Sequence, residues 1–110
     1  MTTLTEKECS TLPTDAVPLT SDEMQKLLPQ LDPQWEIVDQ TKLVRTYTRK
    51  DFITAMMFVN IVASIAENEN HHPHITINFN IVTIKLSTHA INGLSENDFI
   101  LAAKIDKADI

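Results

Sequence analysis

Apolar and polar residues alternate in two neighbouring stretches of this chain, and this pattern constrains the fold more than any other feature. The apolar members are Ile75, Ile77, Phe79, Val82, Ile84 and Leu86. Because successive side chains of a β-strand point to opposite faces, a period of two predicts two strands, each with one apolar face. A two-residue turn at Asn80-Ile81 gives the strand pairs Phe79–Val82, Ile77–Ile84 and Ile75–Leu86. A slip of one residue would mismatch every pair, so the pattern favours this register.

The same register, continued along the two strands, predicts that histidines meet on the polar face. It places His72 opposite His89, with His74 on the same face. His71 precedes a proline, Pro73, that limits strand pairing and indicates a bend at the sheet edge. All four histidines of the chain therefore fall close to one end of the predicted hairpin.

The residues before the alternating stretches predict a helix, a hairpin and a long second helix. Thr20 and Glu23 have the spacing of a capping box, which predicts the start of the first helix. The β-branched and aromatic residues between 35 and 48 are interrupted by polar residues 39–42, which predicts two strands. Between residues 51 and 70, apolar side chains recur every three or four positions, which is the spacing of a helix.

A third helix is predicted at the end of the chain. Gly93 is expected to supply a turn, and Ser95 and Asp98 form a second capping signature. Asp98 is therefore interpreted as a structural cap and not as a catalytic acid. The whole order predicts an α+β domain over residues 19–110, with a four-stranded antiparallel sheet and three helices packed on one face. Residues 1–18 lack an apolar period and are expected to form a flexible segment.

Composition disfavours several classes of partner. The net charge of −6 argues against direct nucleic-acid binding, which draws its affinity from clustered lysines and arginines. No stretch approaches the roughly 20 apolar residues of a membrane span, and the first residues lack the pattern of a secretory signal. The single cysteine, Cys9, cannot form an internal disulfide. A cytoplasmic protein with no membrane partner is the expectation.

The sequence leaves three interpretations of the histidines open. They can be ordinary residues of a polar face near strand and helix ends. They can bind a metal, although adjacent His71 and His72 seldom converge on one ion and the usual cysteines or spaced carboxylates are missing. They can transfer protons, one imidazole accepting and another donating. The predicted approach of His72 to His89 favours proton transfer.

Four motifs, together with Trp35 and the helix start at Asp51-Phe52, carry a resemblance to a known family. The motifs are AENENHHP at residues 66–73, Asn80, LSTH at 86–89 and GLSEND at 93–98. In residue type and separation they resemble the pterin-4a-carbinolamine dehydratases, over residues 20 to 108. The resemblance implies a hydro-lyase of tetrahydrobiopterin recycling, which removes water from 4a-hydroxytetrahydropterin to give the quinonoid dihydropterin. It implies no metal and no organic cofactor.

The resemblance also implies roles for particular residues. It implies general acid–base catalysis by His71, His72 and His89, without deciding which is the acid and which the base. It implies a pterin pocket formed by Asn70, Pro73, Ser87, Thr88 and Ala90. Many relatives carry an acidic residue where this chain has Ala90, so one contact to the pterin is expected to differ.

The long helix is apolar over a wider surface than one stripe. Met57, Phe58, Ile61 and Ile65 extend beyond the main spacing. Such breadth predicts burial from two sides, either inside the core or against another subunit. Together with the resemblance it predicts a homodimer or homotetramer. The alternative function implied by the resemblance is a protein-interaction module that binds the dimerisation region of a transcription factor, with little or no turnover.

Overall fold

A computed structural model describes residues 3–108 of the protein. Three helices and four strands follow one another as α1 (Ser21–Leu27), β1 (Glu36–Val38), β2 (Lys42–Thr48), α2 (Phe52–Glu69), β3 (His74–Asn78), β4 (Ile81–Leu86) and α3 (Glu96–Ala108). The strands form one antiparallel sheet in the order β1-β2-β4-β3. Short 3-10 turns occur at Leu4–Glu6, Leu28–Gln30 and His89–Ile91. The predicted α+β fold, with a four-stranded antiparallel sheet and three helices, is confirmed.

Local hydrogen bonds explain where the first two helices begin and where α2 ends. The predicted capping box of α1 is present, because Glu23 N–H donates to Thr20 Oγ1 and Thr20 N–H donates to Glu23 Oε1. Asp51 accepts the Thr54 N–H at 2.8 Å at the start of α2. Asn70 ends α2 in the left-handed conformation, with φ at 52°. No helix within residues 3–108 is long and apolar enough to cross a membrane.

The predicted register of the β3–β4 hairpin is wrong by two residues. The observed pairs are Ile75–Ile84 and Ile77–Val82, and the turn consists of Phe79 and Asn80. A shift of two preserves the alternation, so the apolar side chains still share one face as predicted. The pairing of His72 with His89 does not occur, and His74 lies opposite Lys85.

A contact far away in sequence selects this turn. Arg49 N–H donates to the Asn80 backbone oxygen at 2.8 Å, and Asn80 Nδ2 donates to the Arg49 backbone oxygen at 2.9 Å. These bonds hold Asn80 next to the end of β2, while Phe79 adopts a φ of 55°. Alternation within the hairpin cannot reveal such an anchor, because shifts of two residues look the same in the sequence.

The helices cover one face of the sheet and form the core with it. Completely buried apolar side chains come from β2, β4 and α3, and include Leu43, Val82, Ile84, Leu86, Phe99 and Leu101. Each such side chain stabilises the fold by about 1.5–3 kcal/mol relative to exposure. The opposite face carries exposed Lys42, Lys85 and His74 and is open at the β3 edge.

Helix α2 buries a narrower stripe than the sequence predicts. Its buried apolar residues are Ala55, Phe58, Val62 and Ala66, so Phe58 belongs to the core. Four large apolar side chains remain exposed: Phe52 at 46%, Ile53 at 67%, Met57 at 61% and Ile61 at 42%. Ile53, Met57 and Ile61 follow at four-residue spacing and form one exposed stripe.

The only glycine of the sequence serves close packing. A Cβ on Gly93 would lie 2.8 Å from Pro18 Cβ, so only glycine fits against this proline. The turn that was predicted for Gly93 is made by its neighbour Asn92, which adopts the left-handed conformation with φ at 50°. Gly93 also accepts the Thr88 N–H at 2.8 Å, which closes the loop after β4.

Trp35 connects the first hairpin to the last helix through a partly buried carboxylate. Asp106 Oδ1 accepts from Trp35 Nε1 at 2.8 Å and from Arg45 Nη1 at 2.9 Å, while Oδ2 accepts from Asp32 N–H at 2.9 Å. Burial raises the pKa of the Asp106 carboxyl, and the hydrogen bonds from Asp32 and Trp35 oppose that rise. Trp35 is thus part of the scaffold and lines none of the three cavities that contain His71, His72 or His89.

The N-terminal segment contacts the domain at several points. Cys9 N–H donates to Glu69 Oε1 at 2.8 Å, and Cys9 Sγ donates to the Asn97 backbone oxygen at 3.4 Å. Ser10 and Asn97 exchange two hydrogen bonds, of 3.1 and 2.8 Å. Leu4 is buried in the core. Flexibility of residues 1–18 stays a prediction, since contacts do not measure motion, and residues 1 and 2 lie outside the described part.

The packing of this segment predicts an unreactive thiol. Burial, followed by the Glu69 carboxylate, raises the pKa of the Cys9 thiol to about 12. Because the thiolate is the reacting species, Cys9 should be alkylated by iodoacetamide at pH 8 roughly 10²-fold more slowly in the folded protein than in urea. Glu69→Gln removes one cause of the rise and should speed the reaction. Equal rates with and without urea would contradict the packing of residues 9 and 10.

Candidate active site

A cavity on the open face of the sheet contains most of the histidines. It has a volume of about 510 Å³ and is lined by Lys42, His72, Pro73, His74, Lys85, Ser87 and His89. This volume lies in the usual range for small-molecule sites. His72 and His89 thus share a cavity although they are not cross-strand partners. The observed register, continued by one pair on the same face, brings His72 to Ser87.

His72 is paired with a carboxylate at the end of α2. Its Nε2 lies 2.6 Å from Glu67 Oε1, and both side chains are exposed. A carboxylate can only accept, so Nε2 carries the proton in this contact. The Nδ1 atom of the neutral ring is then the nitrogen that can accept a proton.

His71 is held in the same way by a completely buried carboxylate. Its Nε2 lies 2.6 Å from Asp98 Oδ1. Asp98 Oδ2 accepts from Thr88 Oγ1 at 2.8 Å and from Ser95 N–H at 3.0 Å. The hydroxyl groups of Thr88 and Ser95 are 2.7 Å apart. One carboxylate therefore joins the end of α2, the end of β4 and the start of α3.

Asp98 has a role that the sequence interpretation missed. It is a cap, as predicted, because it accepts the Ser95 N–H at the start of α3. It also orients His71, which lies 27 positions earlier in the chain. Spacing of three residues signals only the cap, and no pattern in the sequence shows the distant partner.

His71 lines a second cavity, next to the first. This cavity has a volume of about 430 Å³, and its lining includes Asn70, His71, Thr88, Ala90 and residues 9–14. A smaller cavity, of about 250 Å³, is lined by Ser87, Thr88 and His89 among others, and so shares residues with both. The implied site residues thus divide into two adjoining groups. Residues 9–14, which form a wall of the second cavity, were not predicted for the site.

Glu69 fixes one side of the second cavity. Burial alone would raise the pKa of its carboxyl, but hydrogen bonds from Lys104 at 2.7 Å and from Cys9 N–H hold the pKa below its usual value. The carboxylate therefore stays charged at neutral pH and anchors the N-terminal segment beside His71.

His89 differs from the other two histidines that the resemblance marks as catalytic. It begins the 3-10 turn after β4 and is exposed. Its ring has no hydrogen-bond partner among residues 3–108, whereas His71 and His72 each have a carboxylate. The residues described do not include any group of three His, Cys, Asp or Glu side chains that could hold a metal ion. Independence from metals and cofactors stays a prediction.

The chain is similar over most of its length to proteins of one known family. The family model described as pterin 4 alpha carbinolamine dehydratase matches residues 17–108. A Legionella pneumophila protein named "Putative pterin-4-alpha-carbinolamine dehydratase" is 42% identical over 105 residues, which are 94% of this chain and 93% of that protein. A protein of the same name from Rickettsia canadensis is 42% identical over 96% of this chain and 97% of its own length.

Solved structures agree with the fold. The crystal structure of a transcriptional coactivator/pterin dehydratase from Brucella melitensis superposes with a TM-score of 0.76 at 37% identity, over 82% of this chain and 96% of that one. A pterin dehydratase-like protein identified as a RuBisCO assembly factor in the alpha-carboxysome has a TM-score of 0.57 at 21% identity, over 67% and 87%, and shares the fold. The family match, the identities and the paired histidines beside Thr88 together show that this chain belongs to the pterin-4a-carbinolamine dehydratase family.

Proposed function

We propose that this protein dehydrates 4a-hydroxytetrahydropterin to quinonoid dihydropterin by histidine general acid–base catalysis. Membership of the family supports dehydratase activity in general. The observation that carries the finer proposal is the convergence of His72 and His89 on one cavity of about 510 Å³, with His71 beside it. The proposed setting is the cytoplasm, in the recycling of tetrahydrobiopterin.

The chemistry requires two proton transfers. The C4a–O bond breaks, its electron pair leaves with the hydroxyl oxygen, and a general acid protonates that oxygen to release water. A general base removes the proton from N5, whose electron pair forms the new C=N bond. Imidazoles suit both tasks near neutral pH, because they exchange protons there in either direction.

The carboxylates supply the orientation that such transfers need. Glu67 and Asp98 each bind Nε2 of a histidine, which leaves Nδ1 of His72 and of His71 for exchange with the substrate. His89, which lines the same cavity as His72, contributes the third imidazole. In this proposal Asn70, Pro73, Ser87, Thr88 and Ala90 contact the pterin, and no metal or organic cofactor takes part.

We further propose that the protein is a homodimer or homotetramer. Support comes from the exposed stripe Ile53, Met57 and Ile61 on α2, with Phe52 beside it. Apolar surface of this kind on a small domain marks an interaction site. The same stripe favours the second candidate function, an interaction module for another protein. In the oligomer a second copy of this chain covers the stripe, whereas in the interaction module a different protein covers it.

Replacing the cavity histidines tests the catalytic proposal. His72→Ala and His89→Ala should each lower kcat by roughly 10²-fold or more, the usual size of an acid–base contribution. Stability should change little because both side chains are exposed. Thr76→Ala, exposed further along the same face of β3, is the matched control. Dehydration should be followed by absorbance, and unfolding by urea. A full rate in both histidine variants would overturn the proposal.

The double variant sharpens this test. If His72 and His89 serve one proton-transfer sequence, their combined loss should be smaller than the product of the single losses. Strictly multiplicative losses would mean that the two histidines act independently.

Asp98→Asn tests whether the buried carboxylate positions His71. The variant keeps an oxygen that can cap α3 but loses the charge, so kcat should fall about tenfold or more while KM changes less. Ser95→Ala is the control, because it removes the bond to the Thr88 hydroxyl and leaves the Asp98–His71 contact. Equal kcat values for Asp98→Asn and the unaltered protein would remove Asp98 from the mechanism.

Sedimentation velocity tests the oligomer. The unaltered protein should sediment as a dimer or tetramer at micromolar concentration, and Met57→Glu should dissociate it, since a charge in an apolar interface lacks a partner. Lys26→Glu, at an exposed position of α1, is the control. A monomer at all concentrations would contradict self-association and leave the stripe to a different partner.

A further inference from the structure

We propose that the cavity lined by His72 and His89 also binds a phosphate ester on the pterin side chain, through Lys42 and Lys85. This inference rests on the proposed function, because it assumes that the pterin occupies this cavity. It names a substrate class, namely pterins with an anionic side chain. Neither lysine belongs to the motifs that connect the chain to its family.

The sheet places both lysines beside the histidines. One row across the open face consists of Val44, Lys85 and His74, which are direct partners on β2, β4 and β3. The next row on the same face consists of Lys42, Ser87 and His72, by continuation of the two registers. Neighbouring strands are about 4.8 Å apart and alternate residues about 7 Å apart, so each lysine backbone lies within roughly 10 Å of that of His72.

The charges of the cavity are opposite in sign to those of the whole protein. Both lysines are exposed, and neither forms an ion pair within residues 3–108. The lining residues include no carboxylate. Two carboxylates lie near: Glu67, which binds His72, and Glu36, which lies opposite Val44 on β1. With a net charge of −6 on the chain, the two ammonium groups create a local site of attraction for an anion.

Phosphate matches these groups chemically. A lysine ammonium binds phosphate as a compact charge with three donors, and charge-assisted hydrogen bonds are about twice as strong as neutral ones. Ser87 lies between Lys42 and His72 in the second row, and its hydroxyl can donate to the same oxygens. An uncharged side chain gains none of this attraction, so the lysines would discriminate by charge between pterins with the same ring.

The test compares two pterins that differ only in the ester. Binding of 6-hydroxymethylpterin and of its phosphate ester is measured through pterin fluorescence, with the unaltered protein, Lys42→Gln, Lys85→Gln and the double variant. Lys26→Gln, at an exposed position of α1, is the control. The ester should bind at least tenfold more tightly than the alcohol. In each single lysine variant the ratio of the two affinities should fall about fivefold. This is the effect on affinity of one pair of opposite charges about 4 Å apart in water.

The outcomes separate this inference from the proposed function. Loss of the preference in the double variant, with the preference kept in Lys26→Gln, supports it, and so does a decline as salt rises above 0.1 M. Equal binding of the two pterins, or a preference that survives in the double variant, overturns the inference and leaves the dehydratase proposal standing. Failure of both pterins to bind contradicts the proposed function and the inference together.

Discussion

The buried carboxylate of Asp98 is the contact on which the arrangement of the site depends. It accepts from His71, Thr88 and Ser95, which belong to three different segments. Asp98 is completely buried, and a buried charge of this kind is tolerated only when its oxygens are fully hydrogen-bonded. The position of His71 is therefore coupled to the packing of α3 against the end of the sheet. The same carboxylate caps a helix and orients a candidate catalytic group.

The site divides into a part that is hydrogen-bonded to Asp98 and an open part. His71 and Thr88 are hydrogen-bonded to Asp98 and line the second cavity, one wall of which is formed by residues 9–14. His72 and His89 line the cavity on the open face of the sheet and are exposed to solvent. Such a division suits the proposed reaction, in which a pterin enters over the sheet and meets imidazoles that are already oriented. Preorganised groups do not have to reorient during the reaction, which lowers its barrier.

Much of the fold follows from the sequence because its signals are local. The capping box at Thr20, the period-two strands and the long helix each depend on neighbours within a few residues, and all are present. The register of β3 against β4 was predicted wrongly, because Asn80 is anchored to Arg49 across 31 positions. Alternation defines the faces of a strand but does not distinguish shifts of two residues.

The site was predictable only in part, for the same reason. The histidines were found from residue type and spacing. Their two carboxylate partners differ in how far they lie from the histidines along the sequence, and therefore in how easily the sequence indicates them. Glu67 lies only five positions before His72 in the chain, whereas Asp98 comes from another element. The contribution of residues 9–14 to the second cavity depends on Cys9 and Ser10 meeting Glu69 and Asn97. No local pattern in a polar N-terminal segment indicates those contacts.

Direct measurement of dehydration tests the central claim. Freshly generated 4a-hydroxytetrahydropterin is mixed with the purified protein in the presence of a chelator, and formation of the quinonoid dihydropterin is followed by stopped-flow absorbance. The account predicts a rate that rises in proportion to protein concentration, well above spontaneous dehydration. A protein that binds the pterin without accelerating the loss of water would contradict the account.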